Sequence, residues 1–223
     1  GNAEEIGNWI GRMKKKPIAW VSTTKRLVPL VHYMYVDDRL FTIINEGGIY
    51  QNTEYSAGKV QYEKIKKERE KKHKGIDFNM IQNLVMYLQR KDLLQCIFFV
   101  FSIANCEKYA NMIGKNLVTY EESSEIDRLF NHYMKPYMKK YEHLPQFNEV
   151  KQIISTGTAY HHSGLVPILK EIIEILFKKG LIKVLFATET LSVGVNMPAR
   201  SVIFAELVKP TDKGRRNLTT SEF

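Results

Sequence analysis

The sequence predicts an α/β protein: a parallel sheet with flanking helices, preceded by a β-hairpin in an extended linker. Three observations carry this. From Phe78 onward, short apolar runs alternate with amphipathic ones, the pattern of strand–helix–strand units. Upstream, two extended runs flank the turn pair Asp37-Asp38, a hairpin signal. Finally, the stretch from Pro167 to Lys179 carries a helix start, an apolar face and a stop in the right order.

Taken in order, Ile6, Trp9, Ile10 and Met13 are spaced for one face of an opening helix. Pro17 to Thr23 reads as a buried strand. Val28 to Val36 and Leu40 to Asn45 form the hairpin around Asp37-Asp38. Gly47-Gly48 and the basic stretch to Gly75 form a connector. A helix is expected over Asn79 to Lys91, a strand over Gln95 to Phe101, and a helix over Ala104 to Ile113. A charged helical region spans Ser124 to Tyr141, and a shorter helix Phe147 to Ser155. Then come a strand at Thr158 to Tyr160, the helix from Pro167, and a strand at Ile182 to Ala187. A loop or short helix leads to the last strand, Ser201 to Leu207. In the helix from Pro167, the proline falls in the first turn, where its missing N–H costs little. Ile168, Ile172, Ile175 and Leu176 make its apolar face, Glu174 and Lys178 an i,i+4 pair, and Gly180 its stop. Ligands of such sheets bind beyond the carboxyl ends of the strands. The loops at Ser102, His161 and Thr188 are therefore where chemistry is expected.

Composition narrows the class. The chain has 223 residues, 44% hydrophobic and 26% charged, which suits one large or two small globular domains and excludes disorder as the main state. The longest nearly apolar run, Cys96 to Ala104, is nine residues and contains Ser102, against roughly 20 for a membrane span. Two cysteines ten positions apart make neither a zinc site nor a disulfide framework, and point to a reducing interior. The net charge of +9 points weakly to a polyanion. Eight Lys and Arg between Lys59 and Lys74 face Glu63, Glu68 and Glu70, so that stretch alone carries +5. It reads as an exposed helix or linker, either a solvated connector or an RNA-contacting element.

Missing motifs decide as much. Gly58-Lys59 is followed by Val60 and Gly114-Lys115 by Asn116, so neither is a phosphate-binding loop, and no Asp-Glu-x-His segment exists. The chain by itself assembles no ATP site of that type. Tyr35-Val36-Asp37-Asp38 resembles the metal-binding turn of reverse transcriptases, but residues 1 to 34 contain no Asp to complete it, and it is read as a hairpin turn. His161-His162 is not read as a metal site, because neighbours on a strand point to opposite faces.

Two segments carry a family resemblance: Thr158-Ala159-Tyr160-His161-His162-Ser163-Gly164-Leu165, and Val184-Leu185-Phe186-Ala187-Thr188-Glu189-Thr190-Leu191-Ser192-Val193-Gly194-Val195-Asn196-Met197-Pro198-Ala199-Arg200. They resemble motifs IVa and V of the superkiller-type branch of superfamily 2 DExH-box RNA helicases, which feed RNA to the exosome. Phe99-Val100-Phe101-Ser102, followed by Cys106-Glu107, resembles motif IV, and Leu144-Pro145-Gln146 and Pro167 to Glu171 fit the same branch. By this resemblance the chain runs from just after motif III to just before the arginine-rich motif VI. One departure is Arg26-Leu27-Val28-Pro29-Leu30-Val31, where the family usually has Arg-Pro-Val-Pro-Leu-Glu.

The resemblance implies a RecA-like sheet. Residues 1–27 would be the end of a first RecA-like domain, 28–75 a linker with the hairpin and basic connector, and 76–223 a second RecA-like motor domain without motif VI. It implies an ATP-dependent, 3′ to 5′ RNA helicase as the parent protein, with ATP and Mg2+ held mainly by the first domain and the fragment alone inactive. The implied partners are a single-stranded RNA 3′ tail, the first RecA-like domain of the same chain, and the RNA exosome with adaptor proteins, inside the cell and away from membranes. Ser102, His161, His162, Thr188 and Thr190 would contact RNA; each hydroxyl can equally cap a helix, and each histidine can equally sit in the core. Gly194 and Asn196 would face the nucleotide and the first domain. Glu189, acidic beside a polyanion, is expected to bond a basic neighbour or a 2′-hydroxyl. Lys209, Lys213, Arg215 and Arg216 lie where related helicases carry a strand-separating hairpin; a plain basic turn is the alternative. A DNA-repair helicase of the same superfamily and a non-catalytic binding module are the rival readings.

Overall fold

The structure is a computed structural model that describes residues 3–19, 21, 23, 28–70, 78–192, 197–211 and 214–219. The chain divides into two compact units, Gly1–Lys72 and His73–Phe223.

The first unit opens with helix α1, Ala3–Lys14, which has Glu4 and Glu5 in its first turn and Arg12 and Lys14 in its last, complementing the helix dipole. Its apolar face forms as expected, but none of its residues is buried. The strand expected at Pro17 to Thr23 is not found. Residues 17–19, 21 and 23 are irregular and exposed, Val21 to 96%. A β-rich run needs a partner ladder, and among the described residues none pairs with it. The hairpin does form, from β1 (His32–Val36) and β2 (Arg39–Ile44). It starts later than the apolar run suggests, since pairing with β2 extends only to His32. Asp37 and Asp38 both have positive φ, 52° and 58°. That is the left-handed pair a two-residue hairpin turn demands, because its twist matches the strands. Helix α2, Asn52–Glu70, packs on both strands. Gly58 makes this possible: a Cβ there would sit 2.3 Å from the Met34 methyl and 2.9 Å from the Phe41 ring. The basic stretch is thus helical through residue 70, with its charged side chains exposed as far as Glu68; residues 71–77 lie outside the described ones.

The second unit begins with α3, Phe78–Arg90, which buries Ile81, Leu84, Val85 and Leu88 at helical spacing. A four-stranded parallel sheet follows: β3 (Cys96–Phe99), β4 (Thr158–His161), β5 (Val184–Ala187) and β6 (Ser201–Phe204), ordered β4-β5-β3-β6. The helices between them are α4 (Ile103–Met112), α5 (Tyr120–Met134), α6 (Met138–Tyr141), α7 (Pro145–Ile154) and α8 (Pro167–Lys178). The expected single helical region to Tyr141 is broken by a 3-10 turn at Lys135–Tyr137, because Pro136 supplies no N–H and crowds the preceding turn. It also starts earlier, at Tyr120. Thr119 accepts from the Glu122 N–H while the Glu122 carboxylate accepts from the Thr119 N–H, a capping box. Helix α8 starts at Pro167 and ends at Lys178, two residues before Gly180, whose φ is +77°. β6 is shorter than expected, and a hairpin of β7 (Val208–Thr211) and β8 (Gly214–Asn217) follows it.

All eight residues of β4 and β5 are buried. The sheet is bound by rows of register partners. Phe98 stacks on Phe186 at 4.8 Å between ring centres and Phe99 on Phe204 at 5.5 Å. Gln95, just before β3, ties its end down: its amide donates to the Phe177 and Ile182 carbonyls at 2.6 and 2.8 Å. Its own carbonyl accepts from the Arg200 N–H at 2.9 Å.

Candidate nucleic-acid interface at the carboxyl edge of the sheet

The parallel register fixes which residues meet at the carboxyl ends of the strands. Phe99, His161, Ala187 and Phe204 are aligned across β3, β4, β5 and β6. One step on, the ladder continues as irregular backbone. The Val100 N–H donates to the Ala187 carbonyl, the Thr188 N–H to the His161 carbonyl at 3.1 Å, and the Ala205 N–H to the Phe99 carbonyl. Ser102, His161, His162 and Thr188 are therefore brought to one edge by strand register alone.

Ser102 has extended backbone, with φ −141°, and its hydroxyl accepts from the Asn105 N–H at 3.4 Å, so it caps α4. The first turn of α4, whose N–H groups have no acceptor within the helix, stands at this edge. Thr188 is half-buried directly after β5, and its carbonyl accepts from the Leu191 N–H. Thr190 lies in the 3-10 turn Glu189–Ser192 that follows. Gly194, Asn196 and Lys213 lie outside the described residues.

The two histidines are both buried, His161 to 6% and His162 to 1% exposure. In this conformation neither ring presents a face for a base to stack on. They point to opposite faces of the sheet, as neighbours on a strand must, and each meets a carboxylate from the helix covering that face. His161 Nε2 is 3.0 Å from Glu174 Oε1 of α8, and His162 Nε2 is 3.0 Å from Glu107 Oε1 of α4. The His161 contact is an aligned hydrogen bond; the His162 contact is at ion-pair distance but off the hydrogen-bond line. His162 Nδ1 accepts from the Gly164 N–H at 3.1 Å and its ring stacks on Tyr160 at 5.5 Å. A ring nitrogen that accepts has no proton, so neutral His162 carries its proton on Nε2, facing Glu107. Burial holds both imidazoles below their ordinary pKa, against the opposing pull of the carboxylates. Burial likewise pushes the Cys106 thiol of α4 up to about 12, although a hydrogen bond at the His161 backbone opposes the shift.

The turn after β4 is pinned from a third side. The Gln146 side-chain amide donates to the Gly164 carbonyl at 3.3 Å and accepts from the Val166 N–H at 3.0 Å. Gly164 has little room: a Cβ would lie 3.1 Å from His162 Nδ1.

Beyond β6, the basic segment folds as an antiparallel hairpin, pairing Lys209 with Arg216 and Pro210 with Arg215. Arg215 and Arg216 are exposed. Lys209 donates to Glu189 at 2.9 Å, the basic neighbour expected for that acid, and so ties the hairpin to the turn after β5.

Sequence reasoning missed Glu107, Glu174 and Gln146 as parts of this edge. Glu174 was expected to pair with Lys178 along α8; its carboxylate instead turns inward to His161. The available signals were the segments Cys106-Glu107 and Leu144-Pro145-Gln146, which carried no role by themselves.

No protein-family model matches the chain. Similar curated proteins are matched over all of it. It is 34% identical to human superkiller complex protein 2 and 33% identical to the human exosome RNA helicase MTR4, covering 19% and 22% of those proteins. It is 31% identical to the antiviral helicase SKI2 of Saccharomyces cerevisiae, covering 22%. The chain thus spans about a fifth of the length of these relatives. With its parallel RecA-like sheet, the chain is similar along its whole length to a stretch of the superkiller-type DExH-box RNA helicases.

Proposed function

We propose that residues 76–223 act as the second motor domain of an ATP-dependent RNA helicase that moves 3′ to 5′ and feeds RNA for processing or decay. Residues 1–27 then belong to the first motor domain and 28–75 to the linker. The observation that carries the proposal is the shared edge: Ser102 at the start of α4 and Thr188 after β5 stand at adjoining strand ends. Short hydroxyls and open helix N–H groups suit a phosphate backbone without reading its sequence. Thr190 extends the same edge, and His161 and His162 serve it from beneath. Gly194 and Asn196 face the nucleotide; ATP and Mg2+ are bound mainly by the first motor domain, so the 223 residues alone are inactive. The hairpin bearing Lys209, Lys213, Arg215 and Arg216 parts the duplex. The names of the relatives, an exosome helicase among them, support a single-stranded RNA 3′ tail as substrate and the exosome with its adaptors as partners, inside the cell.

The test is the ATPase rate of the whole protein with and without single strands. RNA is expected to stimulate it, and Thr188→Ala to weaken the stimulation about tenfold in half-saturating RNA, the loss of a charge-assisted hydrogen bond. A rate indifferent to RNA overturns the reading. Equal stimulation by DNA of the same sequence would turn it into a DNA helicase, since the 2′-hydroxyl is the distinguishing group.

A further inference from the structure

The RNA edge just described rests on two carboxylate–histidine clamps that enter from opposite faces of the sheet. We propose that Glu107 and Glu174 are positioning residues for RNA engagement, acting through His162 and His161 rather than by touching RNA. This rests on the functional reading above.

The geometry gives each clamp a separate target. Glu174 holds the His161 ring at 3.0 Å, and the His161 carbonyl in turn accepts from the Thr188 N–H at 3.1 Å. The position of Thr188, one residue past β5, is thereby set from α8. Glu107 lies 3.0 Å from His162 Nε2, and His162 Nδ1 accepts from Gly164 N–H at 3.1 Å. The Gly164 N–H leaves the His162 proton on Nε2, facing Glu107, and Glu107 thereby sits against the ring that anchors the turn 162–166. Glu107 also sits on the helix that Ser102 caps. The same carboxylate thus couples the start of α4 to the end of β4, two of the strand ends that form the edge.

A residue whose role is only packing would move stability and nothing else. A positioning role makes a narrower demand, because each carboxylate oxygen faces an imidazole nitrogen at 3.0 Å, as a hydrogen-bond acceptor for Glu174 and at ion-pair distance for Glu107, and a neutral amide oxygen can occupy the same place. Glutamine should therefore substitute and alanine should not. Alanine leaves a buried imidazole nitrogen without its neighbour, a penalty seen as a several-fold loss.

The experiment uses the whole protein with Glu107→Ala, Glu107→Gln, Glu174→Ala and Glu174→Gln, and three readouts. They are the RNA concentration that half-saturates ATPase stimulation, the rate without RNA, and amide hydrogen exchange over residues 162–166 and 188. Each alanine variant is expected to need about fivefold more RNA. Exchange should be faster at 162–166 for Glu107→Ala and at 188 for Glu174→Ala. Each glutamine variant should return to within about twofold of the parent in both respects. Alanine variants with parental exchange at these amides would overturn the clamps. Faster exchange with parental RNA half-saturation would overturn their role in RNA engagement. If the parent itself shows no RNA stimulation, the functional reading fails, and exchange alone still decides whether the carboxylates position the edge.

Discussion

His161 and His162 are adjacent in sequence, yet one serves α8 and the other α4. Their common property is burial as neutral rings. The groups facing them are Glu174, Glu107, Lys170, the Cys106 thiol and one another. Burial is the largest influence on both, so both folded pKa values lie below the ordinary imidazole value of about 6.5. Between the folded and unfolded values, the unfolded chain binds more protons, so acidification favours unfolding. Stability is full above about pH 6.5 and is lost as pH falls through the folded values. Denaturation midpoints measured between about pH 7.5 and 5 should drop on the acid side. His161→Gln, which keeps a donor near Glu174 but does not titrate, should flatten that drop even if the variant is weaker throughout. An undiminished acid slope in that variant would show that His161 is not one of the groups responsible.

At the scale of elements, the alternation of strands and helices was legible wherever one residue type did one job. Pro167 and Gly180 marked both ends of α8, and Asp37-Asp38 marked the hairpin turn with its two left-handed residues. The misread run, Pro17 to Thr23, shows the limit: β-branched composition signals a strand only where a ladder awaits it. Pro136 was visible in the sequence but its break was passed over, because charge continued on both sides. Of the candidate edge, the positions of Ser102 and Thr188 were legible, since strand ends in parallel sheets carry ligands. The clamps were not, because Glu107 and Glu174 look like ordinary exposed helix charges until strand register brings His161 and His162 beneath them. Gly58 was legible only as what it is not, a phosphate-loop glycine; its use is the close approach of α2 to Phe41. Gly58→Ala should cost about 1–3 kcal/mol in chemical denaturation, the usual penalty of overpacking. The Met34 methyl can swing aside but the buried Phe41 ring, 1% exposed, has no free space to enter. Val60→Ala, two positions away and 72% exposed, should change little. A Gly58→Ala protein as stable as its parent would mean that α2 lifts off the hairpin at no cost.

For the molecule as a whole, the structure redistributes the +9 charge. In α2, Lys59, Lys64, Lys66, Lys67 and Arg69 are accompanied by Glu54, Glu63, Glu68 and Glu70, so the helix is nearly neutral. The excess of the basic stretch falls on Lys71, Lys72 and Lys74, outside the described residues. Lys209 is held by Glu189; Arg215 and Arg216 are exposed on β8, where Arg216 also donates to the Asn217 carbonyl. Charge neutralisation on single-stranded RNA appears in the salt dependence of binding, about −0.7 in log–log slope per phosphate neutralised. Two or three such contacts from residues 76–223 give a slope of roughly −1.5 to −2. If the hairpin supplies two of them, Arg215→Ala with Arg216→Ala should make the slope of the whole protein shallower by about 1.4. Lys59→Gln, Lys64→Gln and Lys67→Gln together, exposed on a helix whose own acids nearly cancel its charge, should leave it unchanged. The opposite outcome, an unchanged slope for the arginine pair and a shallower one for the lysine triple, would move the electrostatic contact from the hairpin to α2. The hydroxyl contacts at Ser102 and Thr188 carry no charge. They should alter affinity equally at every salt concentration, so their variants shift the line without tilting it.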